Sequence, residues 1–272
     1  MDLWYNTVSF LLEMSPLKEY LIMCLIVCPL VFLGSFVDSV AGGGGIITLP
    51  AYLLAGLPAH TAAGTNKLVA CFGSVTASAK YFRSGNVQLR IALFSAAGAM
   101  LGGAIGSRLA LFIPENTLKL MMMVILPIVA LFLTFKRDFG MQAKPHHLTR
   151  PMESTAAVAI GLLIGCYDGL LGPGTGTFMI LCFSGILGLD LLVSGGCAKV
   201  SNMASNLASA AVYLLNGKAM YALVIPAALC SIAGGYFGSQ FAIKGGSKRI
   251  RKVMFLVLIL LFVKMIYDYI FA

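Results

Sequence analysis

The chain has 272 residues, 59% of them hydrophobic and 11% charged, with a formal net charge of +9 and a mean hydropathy of +0.93. That composition excludes an ordinary soluble domain. Apolar stretches of about 20 residues, enough to cross a bilayer core, recur along nearly the whole length. The basic surplus falls in short loops between apolar runs, as a topology signal does, and not on a face of interleaved aromatics that would bind nucleic acid.

Before the first span, "MDLWYNTVSFLLEMSP" lacks a basic n-region, so the span itself and not a cleaved signal is expected to direct insertion. Hydropathy then predicts long helical segments at 17–41, 61–82, 87–112, 117–135, 154–172, 193–215, 219–243 and 250–271. Two shorter apolar pieces, 45–57 and 176–189, follow the glycine-rich breaks "GGGG" and "GPGTG" and are short for a full crossing.

The order long, break, short, long, long, long occurs twice. At an offset of 132, Lys67 falls on Lys199, Gly64 on Gly196, Tyr81 on Tyr213, Gly85 on Gly217, Gly102 and Gly103 on Gly234 and Gly235, and Gly106 and Ser107 on Gly238 and Ser239. Upstream the offset is 130, which places Asp38 on Asp168 and Gly42 on Gly172. The division is a first repeat over 1–135, a basic linker over 136–152 and a second repeat over 153–272.

Basic residues mark three loops: Arg83 and Arg90; Lys136, Arg137, Lys144 and Arg150; and Lys244, Lys248, Arg249, Arg251 and Lys252. Placing all three in the cytoplasm requires an odd number of crossings per half. The expected fold is therefore an all-α polytopic membrane protein of two inverted-topology repeats. Each has a glycine-broken hairpin or short half-helix plus three spanning helices, and both termini lie on the non-cytoplasmic side of the plasma (inner) membrane.

Broken backbone at membrane depth is tolerated only where protein buries it or where it lines a cavity. A half-helix starting after Gly42, Gly43, Gly44 and Gly45 would present free N–H groups and a positive dipole end to the break, a setting for an anion. Gly172, Gly174, Thr175 and Gly176 repeat the arrangement in the second half. The plainer reading is close helix packing, which suits "AIGLLIG" and "GGAIGS" better than a run of four glycines.

Lys67 and Lys199 lie inside apolar spans, where a lysine costs about 2.5–3.5 kcal/mol and normally faces a partner or a wet cavity. Snorkelling to the interface is the alternative. Recurrence in both halves, with Thr65 and Asn66 beside one and Ser201 and Asn202 beside the other, favours a site. Asp38 and Asp168 either neutralise the lysines or titrate during transport. Asn206, Ser74 and Ser78 are weaker candidates for the same path, since such side chains often serve as interhelical glue.

Enzymatic constellations are poor. His60 precedes a span, His146 and His147 sit in the linker, and "GGGG" is followed by no GK[ST]. The seven cysteines lie in apolar segments without CxxC spacing, so neither a metal nor another cofactor is expected.

At these residues the chain resembles the sulfite exporter TauE/SafE family of membrane permeases, through "GSFVDSVAGGGGIITLPAYLLAGLPAHTAAGTNK" and "GCYDGLLGPGTGTFMILCFSGILGLDLLVSGGCAKVSN". It is most similar to the bacterial inner-membrane branch. The resemblance implies a duplicated helical carrier of small sulfur-containing anions, with the two glycine breaks, Asn66, Lys67, Lys199 and Asn202 forming the substrate region. The expected function is secondary transport of a small anion, a sulfur oxyanion or organosulfonate, by alternating access at a midplane site, and not enzymatic catalysis. The expected partners are that anion and membrane lipid, without nucleic acid, and a homodimer is compatible with the sequence. A passive anion channel and a non-transporting membrane subunit are the rival readings.

Overall fold

A computed structural model describes residues 16–118, 120–121 and 149–271, with side chains described between 18 and 250 outside the gap and at 252 and 253. The expected segment at 117–135, most of the linker with His146 and His147, and the first residues lie outside the described residues. Every regular element among the described residues is helical. In chain order they are α1 (Pro16–Ala41), α2 (Gly45–Leu54), α3 (Ala59–Arg83), α4 (Leu89–Phe112), α5 (Arg150–Leu170), α6 (Thr175–Ile186), α7 (Leu191–Leu215) and α8 (Tyr221–Phe271).

Predicted and observed ends agree to within a few residues except at the C-terminal side. There the expected segments 219–243 and 250–271 form one element, α8, interrupted at Gly246, whose φ of 61° and ψ of −164° are non-helical. The expected basic loop around Lys244 and Lys248 is therefore a glycine kink, because a residue without Cβ lets the chain leave and re-enter the helix in one step.

Among the described residues, stretches Lys18–Ala41, Leu89–Phe112 and Tyr221–Ile250 are long and apolar enough to cross a membrane. Helices α3 and α7 are as long but more polar, and their polarity points inward. Thr65, Asn66, Lys67, Ser74 and Ser78 of α3 are buried while Phe72, Val75 and Phe82 are exposed. In α7, Ser194, Lys199, Ser201, Asn202, Ser205, Asn206 and Ser209 are buried while Leu207 and Leu215 are exposed. An aqueous protein would reverse this, so apolar side chains outside and hydrogen-bonding groups inside are what a lipid surround selects. At 10 and 12 residues, α2 and α6 reach about 15 and 18 Å, roughly half a bilayer core.

The helices associate across the halves. α4 packs most extensively on α5, α8 on α1, α4 on α7, α8 on α3, and α3 on α7. Matched glycines make the close contacts: a methyl at Gly102 or Gly106 would collide with the carbonyls of Leu162 or Cys166, and one at Gly234 or Gly238 with those of Phe32 or Phe36. Gly103 abuts Ser205, and Gly235 abuts Gly73. Each second-half contact repeats a first-half contact at the offsets read from the sequence. On the α1–α8 seam, Phe32 with Phe237 and Phe36 with Phe241 add ring contacts with centroids 6.5 and 5.7 Å apart.

His60 is not in a loop but in the first turn of α3, buried. Its ring meets Glu115 Oε2 at 2.6 Å through Nδ1 and the Ala110 carbonyl at 3.1 Å through Nε2, and its backbone N–H donates to Glu115 Oε1 at 3.3 Å. Burial works against the Glu115 charge, but the hydrogen bonds from His60 outweigh it and hold the carboxyl below its usual range. A depressed carboxyl stabilises the fold above its unfolded value and loses that contribution as pH falls. The thermal-stability advantage of wild type over Glu115→Gln is thus expected to be full above the ordinary glutamate value of about 4.3 and to vanish as pH drops below it.

The packing glycines yield a second expectation. A Cβ at Gly106 would meet the Cys166 carbonyl, so a side chain there requires α4 and α5 to move apart. Gly106→Ala is expected to cost about 1–3 kcal/mol, and Gly106→Val to reduce folded protein in the membrane, both measurable by thermal unfolding in detergent and by yield.

Candidate functional site

The site forms where the two broken helix pairs meet. Gly42, directly after α1, has a left-handed φ of 83°, and Gly172, two residues after α5, has a φ of 91°. A left-handed glycine is the ordinary device for turning a chain off the end of a helix. The breaks then touch: Thr177 donates its backbone N–H to the Gly42 carbonyl at 3.2 Å and its hydroxyl to the Ala41 carbonyl at 2.8 Å. A methyl at Gly42 would collide with Gly176 and Thr177, and one at Gly44 with Gly34. The "GGGG" run thus combines a chain reversal with two backbone-to-backbone approaches.

Four charges, three of them buried and Asp38 partly so, pair between the halves. Lys67 Nζ of α3 lies 2.7 Å from Asp168 Oδ1 of α5, and Lys199 Nζ of α7 lies 2.7 Å from Asp38 Oδ2 of α1. Each lysine pairs with the carboxylate of the other half, at positions matched by the repeat. Snorkelling does not describe either side chain: Lys67 is 5% exposed and Lys199 is fully buried.

Polar neighbours complete the cluster. Ser205 donates to Asp168 Oδ2 at 2.6 Å, and Lys67 also donates to Asn206 Oδ1 at 3.3 Å. The Asn202 amide approaches Asp38 Oδ2 at 3.5 Å, and the Gly44 N–H approaches Asp38 Oδ1 at 3.4 Å. Asp38 therefore sits at the start of α2, so one helix-end donor already has an internal anion. Tyr81 donates to the Ser39 carbonyl at 3.0 Å, and its repeat mate Tyr213 to the Gly169 carbonyl at 3.5 Å. Tyr167 braces the second break through the Pro173 carbonyl at 2.6 Å.

A cavity of about 50 Å³ opens at this junction, with room for a few water molecules. Of the residues selected from sequence, Gly42, Gly44, Gly45, Asn66, Lys67, Gly172, Thr175, Gly176 and Asn202 line it, as do Asp38 and Asp168. Gly43, Gly174, Thr65 and Lys199 are not on its wall. Thr65 instead accepts from the Met220 N–H at 2.9 Å, tying α3 to the entry of α8. Lys199 stands behind Asp38. Asn206 and Ser74 are on the wall; Ser78 is buried, and its hydroxyl has no hydrogen-bond partner among the described residues.

Residue types alone gave no notice of Ser205, Thr177 and Tyr167, because serines, threonines and tyrosines are common in membrane helices. Ser205, six residues after Lys199, carries no sequence signal that separates it from the other serines of α7. Among the described residues no group of histidine, cysteine and acidic side chains is arranged to hold a metal ion.

A helix bundle with polar inner faces, apolar outer faces and charges paired across two broken helices defines an integral membrane protein of the transporter class. The family model described as sulfite exporter TauE/SafE matches residues 27–265, and the chain belongs to that family. It is 37% identical over 241 residues to Probable membrane transporter protein ORF9 of Sinorhizobium sp, covering 87% of this chain and 90% of the relative. A Haemophilus influenzae protein named Probable membrane transporter protein is 34% identical, with 87% and 92% covered. Probable membrane transporter protein YfcA of Escherichia coli K12 is 29% identical, with 87% of each chain covered. No solved structure matches the chain.

Removing one member of a buried pair leaves an uncompensated charge. Lys199→Met is expected to cost about 3–5 kcal/mol, and the double variant Asp38→Asn with Lys199→Met to recover most of it. A double-mutant cycle of thermal unfolding in detergent reads both; additive losses would show that the pair contributes nothing.

Proposed function

We propose that the protein is a secondary transporter of a small anion, a sulfur oxyanion or organosulfonate, working by alternating access at the cavity between the two glycine breaks. The observation that carries this reading is the double duty of the four charged residues. Lys67, Asp168 and Asp38 line the cavity, Lys199 backs it, and the same residues tie each half to the other. Any rearrangement of one half against the other must remake these pairs, so occupancy of the cavity and the relative position of the halves are linked.

Lys67 supplies the cationic contact on the wall. Gly44 and Gly45 at the start of α2, with Thr175 and Gly176 at the start of α6, bring helix N-termini to the cavity, where backbone N–H groups favour negative charge. The family's description as sulfite exporter supports a sulfur-containing anion. The exchanged contacts between matched positions, together with the basic residues at the α3–α4 turn, in the linker and around the Gly246 kink, support an inverted orientation of the repeats in the inner membrane, with both termini on the non-cytoplasmic side. The glycine seams are the surfaces on which the halves would slide.

Proteoliposomes offered labelled sulfite, thiosulfate, small sulfonates, sulfate and chloride test the reading. Saturable uptake of one anion, accelerated by the same anion inside, is expected, with at least about a tenfold loss in Lys67→Ala at unchanged helix content. Saturable uptake without acceleration by internal anion would indicate a channel, and no flux of any anion would remove the anion reading.

A further inference from the structure

The cavity is not placed symmetrically between the repeats. From α1 it takes Gly34, Ser35, Asp38 and Ser39, whereas from α5 it takes only Asp168. The reason lies one helix away. Ser205, which donates to Asp168, corresponds at the offset of 132 to Gly73, which has no hydroxyl to give. Gly73 instead leaves space, lines the cavity, and packs against Ser231 of α8.

The two carboxylates consequently differ. Asp168 is 4% exposed as a side chain and is held by Lys67 at 2.7 Å and by Ser205 at 2.6 Å, one partner on each oxygen. Asp38 is 22% exposed, and among the described residues its one short contact is Lys199 on Oδ2. Among the same residues Oδ1 has only the 3.4 Å approach of the Gly44 N–H. An oxygen without a short donor, on a cavity wall, has room and a free lone pair for a proton.

Charge balance gives that proton a purpose. Lys67, Lys199, Asp38 and Asp168 sum to zero, so an anion entering this apolar surround would leave a net negative charge, which is costly away from water. A proton on Asp38 uncouples the buried Lys199 charge from its carboxylate and makes the cluster positive by one. A monovalent anion then restores neutrality. The groups beside Asp38 are Lys199 and Asn202 of α7 and Tyr81 of α3, and the charged groups sharing its cavity are Lys67 of α3 and Asp168 of α5. The backbone at the start of α2 and Ser231 of α8 bring no charge.

Resting on the anion-transport reading above, we infer that transport is coupled to protons through Asp38, which takes up a proton when the anion binds and releases it when the anion leaves, while Asp168 stays ionised as the fixed partner of Lys67. One proton moves onto a carboxylate oxygen and off again, and no other bond changes. The first half is the proton-handling half and the second the anchoring half.

Wild-type proteoliposomes enclosing a pH-sensitive dye, given the monovalent anions ethanesulfonate or methanesulfonate outside, test this without any variant. Both anions stay ionised between about pH 6 and 8, so proton entry reports the protein and not the substrate. Uptake accompanied by internal acidification, with apparent affinity falling as pH rises by up to about tenfold per pH unit, is expected. Uptake without acidification, or uptake driven by a sodium gradient alone, would overturn the coupling and leave anion transport standing. Lack of flux for every anion in the wider panel would remove the transport reading and the coupling with it. If sulfite alone is carried, its binding is followed against pH in wild type and Asp38→Asn, the titration of sulfite being common to both. A flattened pH dependence in the variant is expected; equal slopes would overturn the proposal.

Discussion

An ammonium group inside an apolar helix bundle has to meet a carboxylate, and in this protein each of the two lysines meets the carboxylate of the opposite repeat. That requirement organises much else. Pairing Lys67 with Asp168 and Lys199 with Asp38 links α3 to α5 and α7 to α1 through their side chains. It thereby sets the ends of α1 and α5, and the breaks that follow them, side by side. Hydrophobic side chains would hold the same helices at least as firmly, so stability by itself is a poor reason for two such pairs. A role in handling charge at the cavity is a better one.

Glycine serves two separate purposes here, and the difference is geometric. Along α4, Gly98, Gly102 and Gly106 recur every four residues and admit the α5 backbone, whose own Gly161, Gly165 and Gly169 do the same in return. Such a seam gains close contact where lipid offers no hydrophobic drive for helices to associate. At the breaks, by contrast, Gly42 and Gly172 adopt left-handed backbone that stops one helix and aims the chain at the next. The seams carry the framework, and the breaks carry the cavity.

Duplication supplies a framework in which one half can be compared with the other. Matched positions make matched contacts over most of the bundle, including the tyrosine bonds to Ser39 and Gly169 and the glycine contacts on α1 and α5. The site departs from that rule at Gly73 and Ser205, and at Ala70 opposite Asn202. Loss of one hydroxyl on one side opens space and leaves one carboxylate less firmly held. Two copies of the same helix plan have thus come to present different chemistry to a shared cavity.

Much of this was legible in the chain itself. Hydropathy determined the helices and their lengths because a bilayer imposes one length scale, and the repeat offsets determined which lysine corresponds to which. The two intramembrane acids and the glycine runs stood out because charge and broken backbone are costly in lipid. What the sequence left open was partnership. Whether Lys67 meets Asp38 of its own half or Asp168 of the other depends on how helices more than a hundred residues apart cross. Tertiary structure alone decided that, along with the placement of Lys199 behind the cavity wall, the diversion of Thr65 to the Met220 N–H, and the tie between Ser205 and Asp168. Each of those depends on the direction of a side chain around a helix axis, which is set by packing against distant neighbours and not by local periodicity.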